Sequence, residues 1–247
     1  MAVKYYKICN DDTTLVFEGL DSSGNVTTVD SEIVSYKVNG LIDKNTYSSI
    51  NIPKEYNGLP VTTIGSFSKL SNIYKLITPD TITRYWDGAF SGNINLKYAE
   101  INGIGNNYYV FRDCTSLEKV VIGDGLNTSL QWFSGCSNLN EVVLKGKITI
   151  ADRVFEGCNK LETITLAEGN NNYKFVDDIL YSYDETKIIL CLPKKQGEFT
   201  IPSTVTTIAT NGIQRTRYNE VSYSIYSSNS KSVLLCSQYR TNKCWNT

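Results

Sequence analysis

The sequence predicts a β-rich solenoid: stacked turns whose short strands form a parallel sheet, joined by short helical or 3₁₀ turns, with β-hairpin caps and insertions. Three observations predict it. An apolar frame recurs about every 22 residues, each copy ends in alternating β-branched residues, and a longer repeat at a spacing of 45 residues has the pattern of a hairpin.

The frame is clearest in VFRDCTSLEKVVI (Val110–Ile122), WFSGCSNLNEVVL (Trp132–Leu144) and VFEGCNKLETITL (Val154–Leu166). It reads aromatic-x-x-Cys-x-x-Leu-x-x-Val/Ile-x-Ile/Leu. FSGNINLKYAEI fits it with Phe90, Asn93, Leu96, Ala99 and Ile101, and FSKLSNIYKLIT fits it loosely with Phe67, Leu70, Ile73 and Leu76; successive Phe residues are 23, 21, 22 and 22 positions apart. Five such units require a solenoid, because one unit alone cannot bury its apolar face whereas each stacked turn covers its neighbour. Within a unit, L-x-x-V-x-I alternates with period 2 and predicts a strand. The small and polar residues before it, such as Ser134, Gly135 and Ser137, predict a tight turn.

The longer repeat is LYSYDETKIILCLP (Leu180–Pro193) against IYSSNSKSVLLCSQ (Ile225–Gln238). Each copy has a Tyr-bearing strand, a polar turn and a Val/Ile/Leu strand, which predicts a hairpin. Between them EFTIPSTVTTIATNGI repeats the Ile-Pro and V-T-T-I of INIPKEYNGLPVTTIGSF, so the solenoid continues toward the C-terminus. Residues 1–40 do not fit the frame and alternate β-branched runs with turn clusters, predicting an N-terminal β cap; residues 41–247 then form the solenoid with its C-terminal cap. Caps are needed because a terminal turn otherwise exposes core and strand edge.

Taken together, IPKEYNGLPVTTIGSF, FRDCTSLEKVVI, FEGCNKLETITL and the segment from YKFVDDILYSYDETKIILCLP to TIPSTVTTI resemble the BspA-like leucine-rich repeats, also called the Treponema pallidum type. The resemblance covers Tyr36 to Gln214 and extends toward Arg240. It implies a right-handed leucine-rich-repeat solenoid with a curved parallel sheet. This type is found in bacterial surface proteins, some protists and phage-associated proteins, and is linked to adhesion and to binding of host matrix proteins or other cells. The chain departs from the family pattern at Leu70 and Asn93, which replace Cys, and at Trp132, which stands where Ala is usual.

Composition narrows the chemistry. Of 247 residues none is His, the net charge is -1, and no basic block occurs, so nucleic acid is not expected as a partner. The missing imidazole removes the usual general base and a common metal ligand. Cys114, Cys136 and Cys158 contribute one thiol per turn without a close second ligand, which argues against a metal site and for buried reduced thiols donating to turn carbonyls. Parallel side-chain vectors also disfavour disulfides among them, while a Cys236–Cys244 bridge stays open. No catalytic motif and no cofactor-binding motif is present, so neither an enzyme nor a cofactor is expected.

The candidate binding residues are those on the strands that cannot face inward. One column is Lys75, Tyr98, Lys119, Glu141 and Thr163; the other is Ile77, Glu100, Val121, Val143 and Thr165. One reading takes them as strand formers with a weak Lys119–Glu141 surface pair. The other takes them as a protein-contact surface, the use that solenoids commonly make of this face. The partner is then a host matrix or cell-surface protein, or a neighbouring subunit if the chain is part of a larger particle such as a phage virion or appendage. The seventeen tyrosines also allow a glycan. No run of eighteen apolar residues predicts a membrane span. MAVKYYKICNDDTTLVF lacks the h-region and cleavage site of a signal peptide. The expected location is therefore the cell surface or the exterior if a leader was removed, and otherwise a particle assembled in the cytoplasm.

Overall fold

The computed structural model describes residues 4–8, 14–41, 49–105, 107–124, 127–128, 131–146, 148–195, 197–210, 212, 225–228 and 231–236. Its central feature is a six-stranded parallel ladder formed by Ser49–Asn51, Lys75–Ile77, Tyr98–Ile101, Lys119–Ile122, Glu141–Leu144 and Thr163–Leu166, in that spatial order. The last five are the predicted strands. Ser49–Asn51 adds a turn ahead of them by pairing with Lys75–Ile77.

Period-2 alternation decides which side of the ladder is core. Leu76, Ala99, Val120, Val142 and Ile164 point inward and are at most 5% exposed. Neighbouring turns are also joined on the opposite side. There the amides of Phe90, Phe111 and Phe133 donate to the carbonyls of Val110, Trp132 and Val154 in the next turn. This fixes the Phe column as an aromatic stack running Phe67, Phe90, Phe111, Phe133, Phe155, with centroid separations of 5.4, 5.1, 5.5 and 5.7 Å.

The predicted tight corner is a pair of consecutive turns, each closed by the i→i+3 hydrogen bond of a 3₁₀ turn, with no continuous helical run. The amide of Cys136 donates to Phe133 O and that of Leu139 to Cys136 O, and the Cys114 and Cys158 turns repeat the pattern. Among the described residues the 3₁₀ segment is Asp30–Glu32, outside the repeats. The physical reason is the backbone beside each Phe. The residue two after it has positive φ at Lys69, Gly92, Asp113, Gly135 and Gly157, and the residue two before it at Gly88, Tyr109, Gln131 and Arg153, which breaks any helical run. Non-glycine residues in the left-handed region cost about 1–2 kcal/mol, more than glycine loses through its freer unfolded chain. Lys69→Gly is therefore expected to stabilise the protein by about 0.5–1 kcal/mol, read as a higher melting temperature.

A second parallel arrangement joins Ser35–Leu41 to Leu59–Ile64 and that strand to Arg84–Tyr85. Ser35–Leu41 is also the last strand of an antiparallel meander with Lys4–Ile8 and Thr14–Leu20. Leu15, Phe17, Tyr36 and Val38 share one hydrophobic core with the Phe stack. Further along, Ile179–Ser182 and Lys187–Cys191 pair antiparallel, as do Ile225–Ser228 and Lys231–Cys236, so both predicted hairpins form. Between them Thr207–Ile208 pairs in parallel with Lys187–Cys191, resuming the solenoid after the first insertion.

The departures from the repeat have local solutions. Trp132 is fully buried, edge-on to Tyr85 at 5.5 Å, and donates its indole N–H to Asn107 O. A Cβ on Gly105 would lie 2.8 Å from the Tyr85 ring and 3.2 Å from Trp132, so only glycine fits beneath this pair. Asn93 accepts from the Leu70 amide through Oδ1 at 2.7 Å, while its buried Nδ2 meets no acceptor among the described residues.

Candidate functional site

The ladder register brings the two predicted columns together. Lys75, Tyr98, Lys119, Glu141 and Thr163 are successive partners, as are Ile77, Glu100, Val121, Val143 and Thr165. Ser49 and Asn51 begin the same columns, which the repeat frame missed because their turn lacks its Phe and Cys. Since the inward positions alternate with these, both columns lie on the side of the sheet away from the core.

Val121 departs from the expected exposure. It is only 5% exposed although it lies in an outer column. Lys145, just past the end of its strand, reaches across two turns to Glu100 with Nζ 2.7 Å from Oε1, and Val121 lies in the turn between them. The ion pair thus spans the turn that carries Val121. Val143 and Ile77 remain half-buried, and Thr163 and Thr165 are exposed. Lys145 was not among the predicted site residues; a cation directly after a strand was the one available signal.

Polar contacts order the rest of the face. Lys119 pairs with Glu141 at 2.7 Å across adjacent turns. Tyr98 donates its hydroxyl to Glu100 Oε2 at 3.1 Å, and the Lys75 ammonium lies 5.6 Å from the centre of the Tyr98 ring. The hydrogen bond from Lys145, followed by that from Tyr98, holds the Glu100 carboxyl below its usual pKa despite partial burial. Burial, reinforced by the Glu100 charge, pushes the Tyr98 phenol up. The face therefore presents a fixed charge pattern at neutral pH. At its edge an open cleft of about 410 Å³ lies beside Ile77, lined by Ile52, Pro53 and Pro79.

The cysteines stand elsewhere. Cys114, Cys136 and Cys158 are free and buried, and each donates its thiol to the Phe carbonyl of the preceding turn: Phe90 O at 3.2 Å, Phe111 O at 3.1 Å and Phe133 O at 3.3 Å. Burial, with the neighbouring thiols, pushes Cys136 well up, and burial does the same to Cys158. The raised pKa favours the protonated, weakly nucleophilic form of Cys136 and Cys158. Cys191 is also free and buried; the Cys236–Cys244 pairing lies outside the described residues.

Comparison with known proteins agrees with this geometry. The family described as BspA type leucine rich repeat region matches residues 63–183 in six copies. A crystal structure of a leucine-rich repeat protein from Eubacterium ventriosum ATCC 27560 is similar at 19% identity and a TM-score of 0.53, covering 86% of this chain and 57% of that one. A leucine-rich repeat protein of T. pallidum gives 20% identity and a TM-score of 0.45, covering 60% of this chain and 66% of that one. The chain thus spans somewhat less than two thirds of either structure's length. No curated protein matches it. Among the described residues no helix is long and apolar enough to cross a membrane. The repeat frame, its conversion into stacked turns and the family match lead to one conclusion: residues 63–183 of this chain are leucine-rich repeats of the BspA type.

Proposed function

We propose that this protein is a non-enzymatic protein-binding module whose contact surface is the outer face of the six-stranded ladder, and that it serves adhesion at a cell surface. The observation that supports this reading is the pair of in-register columns, which project side chains from successive turns in a regular array. Such an array offers a partner Ile77, Tyr98, Val143, Thr163 and Thr165 between charges already fixed by Lys119–Glu141 and Lys145–Glu100. Aromatic and apolar groups among ordered polar ones are the usual composition of a protein contact, and backbone ordering has been completed before binding. The partner class is a protein of the host matrix or of another cell surface.

The test is adsorption of the full chain to immobilised extracellular-matrix proteins, compared with a Val143→Arg/Thr165→Arg variant. Each substitution places a bulky cation on the outer face without touching the core. At least ten-fold weaker adsorption at an unchanged melting temperature is expected. Equal adsorption by the variant and the parent would remove this face as the contact surface.

A further inference from the structure

Among the described residues the outer face carries one surplus cation. Along its columns and flank, Lys75, Lys119 and Lys145 stand against Glu100 and Glu141, and the last two lysines are each closed on a carboxylate at 2.7 Å. Among the described residues no carboxylate forms an ion pair with Lys75, which rests over the Tyr98 ring 5.6 Å from its centre. Its charge contributes only a minor part of the lowering of the Glu100 pKa, behind Lys145 and Tyr98. An ammonium held on an aromatic face keeps its capacity to pair with an incoming anion.

The position beside this cation is concave and of mixed polarity, with Asn51, Thr78 and Asn102 beside its apolar wall. Ile77 lies two residues beyond Lys75 on the same strand and projects to the same side, and it lines the cleft of about 410 Å³ with Ile52, Pro53 and Pro79. The cleft's own charges, Lys54 and Asp80, neutralise each other at 2.8 Å, so its rim adds no net charge. Residues two apart on a strand are separated by about 6.6 Å, and an extended peptide has the same repeat. A segment lying along the strand can therefore set one side chain over Lys75 and the next same-side one into the cleft.

We propose that Lys75 and the Ile77 cleft form an anchoring subsite for an extended segment of a protein partner bearing an acidic residue and, two positions away, an aliphatic one. This rests on the reading of the ladder face as a protein-contact surface, and it adds the partner's chemistry and the point of attachment. The carboxylate replaces water at the Lys75 ammonium, while the aliphatic side chain is covered by Ile52, Pro53, Ile77 and Pro79. With two anchored side chains a short peptide binds with millimolar affinity, and further columns strengthen a whole partner.

The experiment is a chemical-shift titration of the isotope-labelled full chain with the peptide Ser-Gly-Asp-Ser-Leu-Ser-Gly-Ser. Controls are the same peptide with Lys for Asp, and one with Asp and Leu adjacent. The spaced acidic peptide is expected to move the amides of residues 51–54 and 75–80 saturably, with both controls at least ten-fold weaker. Lys75→Glu should reverse the preference between the Asp and Lys peptides, Lys75→Gln should abolish it, and Lys160→Ala, which removes a cation at a corner outside both columns, should leave it unchanged. Equal response to all peptides, no saturable response, or equal loss in the Lys160 variant would overturn the proposal. Such a failure accompanied by loss of matrix adsorption in the Val143→Arg/Thr165→Arg variant removes the subsite but keeps the binding face.

Discussion

Phe133→Ala is expected to lower the stability of the protein by about 3–5 kcal/mol, the range for removing a buried Phe from a close-packed core. Phe133 is fully buried and stacked between Phe111 at 5.5 Å and Phe155 at 5.7 Å. Its loss opens a gap in the middle of the Phe column, and the backbone bonds to the turns on either side hold the gap open. Since a domain's whole stability is about 5–15 kcal/mol, the substitution removes a large part of it. In a solenoid each turn is coupled only to its neighbours, so the midpoint of urea unfolding should fall and the transition should broaden as the two halves separate. Lys119→Ala in the same measurement should change stability by no more than about 0.5 kcal/mol, because its pair with Glu141 is partly solvated.

The second large effect lies in the Ser35–Leu41 sheet. Lys37 and Glu18, whose side chains are 6% and 10% exposed, form an ion pair at 2.5 Å. Asn39 Nδ2 donates to the other Glu18 oxygen at 3.3 Å, and the Lys37 ammonium sits 4.5 Å from the centre of the Trp86 ring. Lys37→Met should cost about 3–5 kcal/mol, since it strands the Glu18 carboxylate without its cation. Lys37→Met combined with Glu18→Leu should recover most of that loss, because an apolar pair of similar volume carries no desolvation penalty. Guanidinium unfolding of the two variants checks this. If the double variant were as unstable as the single one, the pair would contribute net stability that apolar packing cannot replace.

The repeat was legible because its contacts join neighbouring turns. Phe111, Phe133 and Phe155 touch one another, and their spacing of about 22 residues along the chain already implies that contact. The same regularity placed the two outer columns in register. It did not reveal that Lys145 closes on Glu100 across two turns, since side-chain reach depends on where each corner leaves the strand end. The left-handed corners were half legible: Gly92, Gly135 and Gly157 mark them by residue type, whereas Lys69 and Asp113 adopt the same backbone against their preference.

The Lys37–Glu18–Trp86 cluster was invisible for a different reason. Its three residues come from the N-terminal meander and from the turn after Arg84–Tyr85, segments that share no sequence pattern. Only the parallel joining of Ser35–Leu41 to Leu59–Ile64, and of that strand to Arg84–Tyr85, brings them together. The solenoid, its period and the core-facing side of each strand follow from residue order, because alternation and neighbours one turn away are written along the chain. Which outer residues stay accessible follows from the folded arrangement instead. Val121 is buried while Lys75 is in no ion pair among the described residues, although both stand in the outer columns.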